Sequence, residues 1–331
     1  MRALVVRGAN DVALDEISTP FAGVDEVLIR PQVSGLCGTD LEIIAGTIDE
    51  AYVHYPVVLG HEWVGRRVDG GELAPLVVVE GIVPCEHCDE CLRGATNRCR
   101  RYDEIGFTRP GAIADFIAVP AHLVHELQPH VSALDAALVE PMAVVWRALT
   151  RAQVVAGSRC LVIGDGTVAL LSALLLRRFG PSTVTMLGRR TAQSELARQA
   201  RVDEFVLDSG DKKFDFVVEA AGQGPAISTA LAAADRGGVV VLLGLPAHGT
   251  LVNLHPDDVV NSDLIIQGSF SYTRQSWAEA VALLNDGLIH PSFLVTHQFS
   301  LNRWDDAIKT LASARNDVPR GKVVITLDSS V

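Results

Sequence analysis

The chain has 331 residues, 48% of them hydrophobic, which allows two domains of ordinary size with substantial cores. Its 40 acidic residues against 28 Lys and Arg give a formal net charge of −12, with no Lys/Arg-rich run. That balance argues against nucleic acid as a partner, because such binding rests on neutralising phosphates. The opening MRALVVRGANDVALDE lacks the apolar stretch of a signal peptide, and the longest apolar run, around Val168–Leu176, is too short to span a bilayer. No membrane association is expected, and the cytoplasm is the expected location.

The first part of the chain predicts short strands, such as Met1–Val6 and Glu26–Val33, punctuated by Gly, Pro and Asp. From about Val139 apolar β runs alternate with Ala/Leu/Arg helical segments, the pattern of a parallel sheet covered by helices. Strands are predicted at Cys160–Gly164, Thr183–Leu187, Phe214–Glu219, Val239–Gly244 and Leu264–Gly268. Helices are predicted at Thr167–Arg178, apolar nearly all round, at Ser194–Gln199 and at Pro225–Ala234. A helix at Ser276–Asp286 and a strand at Lys322–Leu327 follow. The tail resembles the first region in texture, so the first domain is expected to be discontinuous, at 1–145 and 285–331, around a second domain at 146–284.

Four of the six cysteines, Cys85, Cys88, Cys91 and Cys99, have the spacing C-x2-C-x2-C-x7-C. Two residues between thiolates let a tight turn aim successive sulfurs at one ion, and four such ligands satisfy tetrahedral zinc. A closed tetrathiolate leaves no open position, so this zinc is expected to be structural and to pin a lobe at about 84–100. Reduced surface thiols and an iron–sulfur site are the alternatives. Cys160 lies on a predicted buried strand and reads as packing.

Cys160–Ala169 reads as a strand, then a G-x-G-x-x-A turn at Gly164, Asp165, Gly166, Thr167, Val168 and Ala169, then a helix. The first glycine permits the tight turn, the second lets backbone approach a pyrophosphate, and the helix N-terminus offers free N–H groups. At the end of the next strand, where NAD enzymes place Asp or Glu against the ribose diol, the chain has Gly188, Arg189 and Arg190. Two guanidinium groups in place of a carboxylate point to NADP(H) over NAD(H), since arginine grips a phosphate in a bidentate way.

Cys37 in Gly-Leu-Cys-Gly-Thr-Asp, His61 in Leu-Gly-His-Glu and Glu140 in Val-Glu-Pro are weak signals singly. Taken in order with the four-cysteine lobe and the glycine-rich loop, they resemble the medium-chain dehydrogenase/reductase superfamily, and more narrowly its zinc-containing alcohol, polyol and threonine dehydrogenases. The resemblance implies a Rossmann doubly wound parallel sheet domain and a GroES-like β-rich catalytic domain. It implies that Cys37, His61 and Glu140 hold a second, catalytic zinc, with Glu62 as an alternate or water-linked ligand and Asp40 orienting His61. Glu140 stands where alcohol dehydrogenases have cysteine, as in the sorbitol and glucose branches. Thr39 is implied to contact the substrate oxygen and begin a proton relay, while Glu42 replaces the relay histidine of some relatives. Gly222, Gly244 and Leu245 are implied to lie near the nicotinamide.

The expected activity is hydride transfer between a secondary alcohol, polyol or sugar, or its carbonyl counterpart, and NADP(H), with two zinc ions per chain. A zinc-independent quinone or enone reductase and a non-catalytic NADPH- or zinc-binding sensor are the alternatives. Trp63, Phe107, Trp146 and Phe270 are candidate pocket residues. Relatives form dimers or tetramers, and the apolar segment Leu264–Phe270 is a candidate contact for such a homo-oligomer.

Overall fold

The computed structural model describes residues 1–71, 74–313 and 317–327. Its contacts divide these into two units, one of residues 1–143, 272–313 and 322–327, the other of 144–271 and 317–321.

The first unit is β-rich. A three-stranded sheet sets Arg2–Gly8 between Asp11–Glu16 and Val57–Val58. A larger sheet runs in the order Val295–Ser300, Lys322–Thr326, Glu26–Leu36, Glu62–Arg67, Leu76–Val79 and Val124–Glu126, with Ile117–Pro120 also paired to Glu26–Leu36. Alternation along these strands feeds two cores. Leu4, Val6, Leu36, Leu59, Val323 and Ile325 line one, and Ile29, Trp63, Val77, Val79 and Val119 the other. At about 25 cal/mol per Å² of apolar surface, this burial is the main favourable contribution to the unit.

The second unit is a parallel sheet in the order Glu204–Val206, Thr183–Leu187, Arg159–Ile163, Phe214–Glu219, Ala234–Leu242 and Ile265–Gly268. In chain order this is 3-2-1-4-5-6, the doubly wound arrangement, and its switch point falls between Arg159–Ile163 and Phe214–Glu219. The helix Thr167–Leu176 is apolar all round because it is enclosed; Leu170, Leu171, Leu175 and Leu176 have no exposed surface. No helix among the described residues is long and apolar enough to cross a membrane.

Two features differ from the sequence expectation. Glu204–Val206 is a strand that no periodicity announces, since three residues carry no pattern and pairing with Thr185–Leu187 makes it. The return to the first unit falls at Tyr272 rather than 285. The reason lies in the helix Arg274–Asn285 and the residues just before it. Tyr272 and Trp277 are each 1% exposed, and the Tyr272 hydroxyl accepts from Gly81 N at 2.8 Å and Ile82 N at 3.1 Å. Arg274 N donates to Thr96 Oγ1 at 3.1 Å.

Replacing Tyr272 by Phe leaves two buried amides without that acceptor. Tyr272→Phe is expected to cost about 1–3 kcal/mol, seen as a lower denaturant midpoint; an unchanged midpoint would show that the amides find other partners.

Candidate functional site

The first cluster is assembled by strand register. Glu26–Leu36 pairs antiparallel with Glu62–Arg67, Gly35 facing Glu62, and with Lys322–Thr326, Gly35 facing Val324. Cys37, Glu62 and Lys322 are thereby brought to one end of the sheet. A Cβ at Gly35 would lie 2.5 Å from Glu62 Oε2 and 3.3 Å from Lys322 Cδ, so only glycine leaves room for what sits there. What sits there is an ion pair between Lys322 Nζ and Glu62 Oε2, both side chains 3% exposed. Burial pulls the Lys322 pKa down, but the charges of Glu62 and Cys37 outweigh it and hold it above the ordinary lysine value.

Cys37 is the N-cap of the helix Gly38–Ala45, and its Sγ accepts from Thr39 N at 3.3 Å. Asp40 accepts from Cys37 N at 2.8 Å, closing a capping box, and its other oxygen is 3.5 Å from His61 Nδ1. The opposite ring nitrogen, His61 Nε2, lies 3.1 Å from Cys37 Sγ. Among the described residues, the donor atoms of Cys37, His61 and Glu62 lie within 4.8 Å of one another.

Glu140, in the first turn of the helix Val139–Arg151, stands outside that cluster, but its carboxyl responds to it: burial and then the charge of Glu62 push its pKa up to about 8. Glu104, 6% exposed, is pushed up to about 7 by burial, against the pull of His61. His61 is held well above the ordinary histidine value because Cys37 and Asp40 outweigh its burial. The site thus gathers one thiol and four carboxyl groups around one imidazole and one ammonium. A surplus of acid in a shielded place, with N, S and O donors converging, fits a divalent cation of borderline softness.

Thr39 lies in the first helical turn, half-buried, two residues after Cys37; Glu42 is half-buried one turn further on. Of the candidate pocket residues, Phe107 packs its ring 5.0 Å from that of His61, whereas Trp63 is 3% exposed within the core. Trp146 packs against Phe179, with ring centroids 5.3 Å apart, and Phe270 is 51% exposed.

The four-cysteine segment brings its sulfurs within 4.8 Å of one another. Cys85 and Cys91 are 4.0 Å apart and Cys88 and Cys91 3.5 Å, near the roughly 3.8 Å that tetrahedral geometry and Zn–S bonds of about 2.3 Å dictate. Backbone N–H groups of Arg100 and Cys91 lower Cys88 to about 6, while burial and the neighbouring Cys88 thiol raise Cys91 to about 12. Four thiols this close cannot all ionise without a cation among them, so the donor set fits one.

In the second unit Gly164 ends the strand Arg159–Ile163, at φ 120°, and Gly166 caps the helix Thr167–Leu176. A Cβ at Gly166 would meet nothing within 4 Å, which leaves an open approach over the helix N-terminus. Gly188 is enclosed instead: a Cβ there would lie 2.5 Å from the Phe205 ring. Asp165 fastens the next loop, its carboxylate accepting from Arg189 N, Arg190 N and the Arg190 guanidinium, the last at 2.7 Å. Arg190 is therefore already engaged, with Nη1 buried and unpartnered, while Arg189 is exposed. Gly222 and Gly244 abut, a Cβ on Gly244 falling 2.2 Å from Gly222 N, and Leu245 is 75% exposed.

Sequence reasoning did not single out Lys322, Glu104 or Gln193. None carries a local motif; each matters through partners far along the chain.

Comparison with known proteins matches residues 23–129 to the alcohol dehydrogenase GroES-like domain and residues 133–318 to the glucose dehydrogenase C-terminus. Sorbitol dehydrogenase of Bacillus subtilis is 28% identical over 338 residues, covering 96% of this chain and 95% of that protein. L-threonine 3-dehydrogenase of Legionella pneumophila is 28% identical over 332 residues, covering 94% and 95%. Among solved structures, a zinc-binding dehydrogenase from Sinorhizobium meliloti 1021 bound to NADP superposes with a TM-score of 0.90 at 26% identity, over 98% of this chain and 99% of that one. With both segments matched and the relatives aligned nearly end to end, the chain belongs to the zinc-dependent dehydrogenases of the medium-chain dehydrogenase/reductase superfamily.

Proposed function

We propose that the protein oxidises a secondary alcohol, polyol or sugar, or reduces the corresponding carbonyl, using NADP(H) and a zinc ion held by Cys37, His61 and Glu140. Glu62 is the alternate ligand, and a second zinc is held by Cys85, Cys88, Cys91 and Cys99. The observation that carries this is the convergence of Cys37 Sγ, His61 Nε2 and the Glu62 carboxylate within 4.8 Å in a pocket with surplus acid. Sorbitol, threonine and arabinitol dehydrogenases among the relatives act on CH–OH groups, which supports that substrate class. The zinc-free reductase and the sensor gain no support from the site.

The reaction is CH–OH + NADP⁺ → C=O + NADPH + H⁺. When bound, zinc supplies the Lewis acidity that lets a hydroxyl lose its proton near neutral pH, and the nicotinamide takes the hydride. The chain's own groups do the rest. Cys37 Sγ is held at the helix end by Thr39 N, and Asp40 stands 3.5 Å from His61 Nδ1, with Nε2 facing the other donors. Lys322 draws one oxygen of Glu62 to itself, which would leave that carboxylate less available to a bound cation than a lone one. Thr39 Oγ1 is the group assigned to accept the substrate proton. In the second unit Gly164, Asp165, Gly166, Thr167 and Val168 form the pyrophosphate turn, and Gly188, Arg189 and Arg190 form the loop for the ribose 2′-phosphate. Gly222, Gly244 and Leu245 are assigned to the nicotinamide end.

The NADP(H) preference rests on the arginines of that loop and on Asp165, whose carboxylate is consumed by Arg190 and two backbone amides instead of facing a ribose diol. A homo-oligomer is part of the same reading. Among the described residues the strand Ile265–Gly268 pairs with one strand only, Ala234–Leu242, with Ile265 57% exposed, and an apolar sheet edge of this kind invites a second copy.

The deciding experiment is a steady-state screen of polyols, aldoses and secondary alcohols with NADP and NAD on zinc-replete protein, together with metal analysis. About two zinc ions per chain are expected, falling to about one in Cys37→Ser with loss of turnover. Full turnover in Cys37→Ser would refute the assigned centre. Thr39→Ala is expected to reduce kcat by about 10²- to 10⁴-fold at unchanged zinc content, with Thr39→Ser retaining most of it. An unaffected Thr39→Ala would remove the relay role. Ile265→Lys is expected to shift the sedimentation coefficient toward monomer, and no shift would place the contact elsewhere.

A further inference from the structure

Asp165, between the two glycines of the turn, offers its backbone carbonyl to two side chains. Gln193 Nε2 donates to it, and so does Arg190 Nη2 at 3.0 Å. Both donors are enclosed: Gln193 is fully buried, and the Arg190 side chain is 10% exposed. Gln193 is itself held by backbone of the tail residues 317–321, which belong to the same unit as the turn. Its Nε2 donates to Arg320 O at 2.9 Å and its Oε1 accepts from Arg320 N at 2.8 Å. An amide engaged at both its oxygen and its nitrogen cannot rotate without losing bonds, so Gln193 is a strut between tail and turn.

A trans peptide is planar, with its C=O and N–H pointing in opposite directions. The Asp165–Gly166 bond is trans. Drawing the Asp165 carbonyl inward onto Gln193 and Arg190 therefore turns the Gly166 N–H outward. That N–H has no acceptor among the described residues, and a Cβ on Gly166 would meet nothing within 4 Å. Gly166 caps the helix Thr167–Leu176, where an outward donor backed by the helix dipole suits an anion. The same peptide flipped over would present its carbonyl oxygen instead, which repels phosphate.

We propose that Gln193 is a positioning residue for the cofactor: with Arg190 it fixes the 165–166 peptide so that the Gly166 N–H faces the pyrophosphate. It takes its own position from the tail backbone at Arg320. The inference rests on the pyrophosphate-turn reading above, and adds to it a buried glutamine and a tail segment far along the chain. The pyrophosphate is common to both nicotinamide cofactors, so Gln193 acts on NADPH and NADH alike.

The test is equilibrium binding of NADPH and NADH, followed by cofactor fluorescence, with ADP-ribose and phosphate-free adenosine as competitors. Gln193→Met keeps the side chain's length and loses its hydrogen bonds. Gln193→Asn stays polar but is one methylene short, and serves if circular dichroism shows the first variant unfolded. Either is expected to weaken NADPH, NADH and ADP-ribose alike, by about 10- to 100-fold, while adenosine stays within about 2-fold. Amide hydrogen exchange over 317–321 is expected to rise in the same variants. Wild-type protein that binds none of the three pyrophosphate ligands would overturn the turn reading and this inference with it. Wild-type binding that the variants leave unchanged, an equal loss for adenosine, or unaltered exchange over 317–321 would overturn the inference alone.

Discussion

The constraint on which the first unit depends is the concentration of charge that its strand register forces into a shielded place. Three strands converge where Cys37, Glu62 and Lys322 meet, and a one-residue slip of any of them would turn its apolar face outward. Removing a carboxylate and an ammonium from water costs several kcal/mol each, and a buried pair returns this only when its geometry is good. Lys322 offsets one of the carboxylates. Burial raises Glu104 to about 7, and burial with the charge of Glu62 raises Glu140 to about 8, so the place resists further uncompensated negative charge. A stability-driven core would not be built this way, and the excess reads as a provision for a cation.

In the second unit the glycine-rich turn sets an open glycine over a helix N-terminus, and beside it Arg190 is clamped to the Asp165 carboxylate. Asp165 has an unusual part in this. A bare carboxylate in a glycine-rich turn over a helix N-terminus would repel any anion there, and Arg190 together with two backbone amides neutralises it. The pairing lowers the Asp165 pKa against the effect of burial, so the bridge persists well below neutral pH and is lost only as acid protonates the carboxylate. The glycine-rich turn and the loop at 188–190 are thereby held together by an internal ion pair.

The two donor clusters differ in how they are made. In the four-cysteine lobe all donors fall within fifteen residues, and local turns place them. In the other cluster the donors come from a helix cap and a neighbouring strand, and their approach depends on Gly35 having no side chain. Local chemistry defines the first; sheet pairing defines the second.

Much of this was legible in the residues alone. The C-x2-C-x2-C-x7-C spacing, the strand–G-x-G–helix order and the alternation of apolar strands with helices are short-range signals, because turn geometry and hydrophobic periodicity act over a few residues. They located the parallel sheet nearly strand by strand, and in Thr183–Leu187 and Phe214–Glu219 to the residue. What lay beyond them is whatever depends on pairing across distance. Tyr272 joins the first unit through the amides of Gly81 and Ile82; Trp63 goes to the core and not to a pocket; Glu204–Val206 is a strand only because a neighbour pairs with it. Lys322 at Glu62 and Arg320 at Gln193 belong to the same class, since a lysine and an arginine two residues apart look alike in sequence. The sequence by itself determined which chemistry the chain can carry; the tertiary structure decided which charges face one another, because Coulomb and hydrogen-bond partners are set by register and burial and not by separation along the chain.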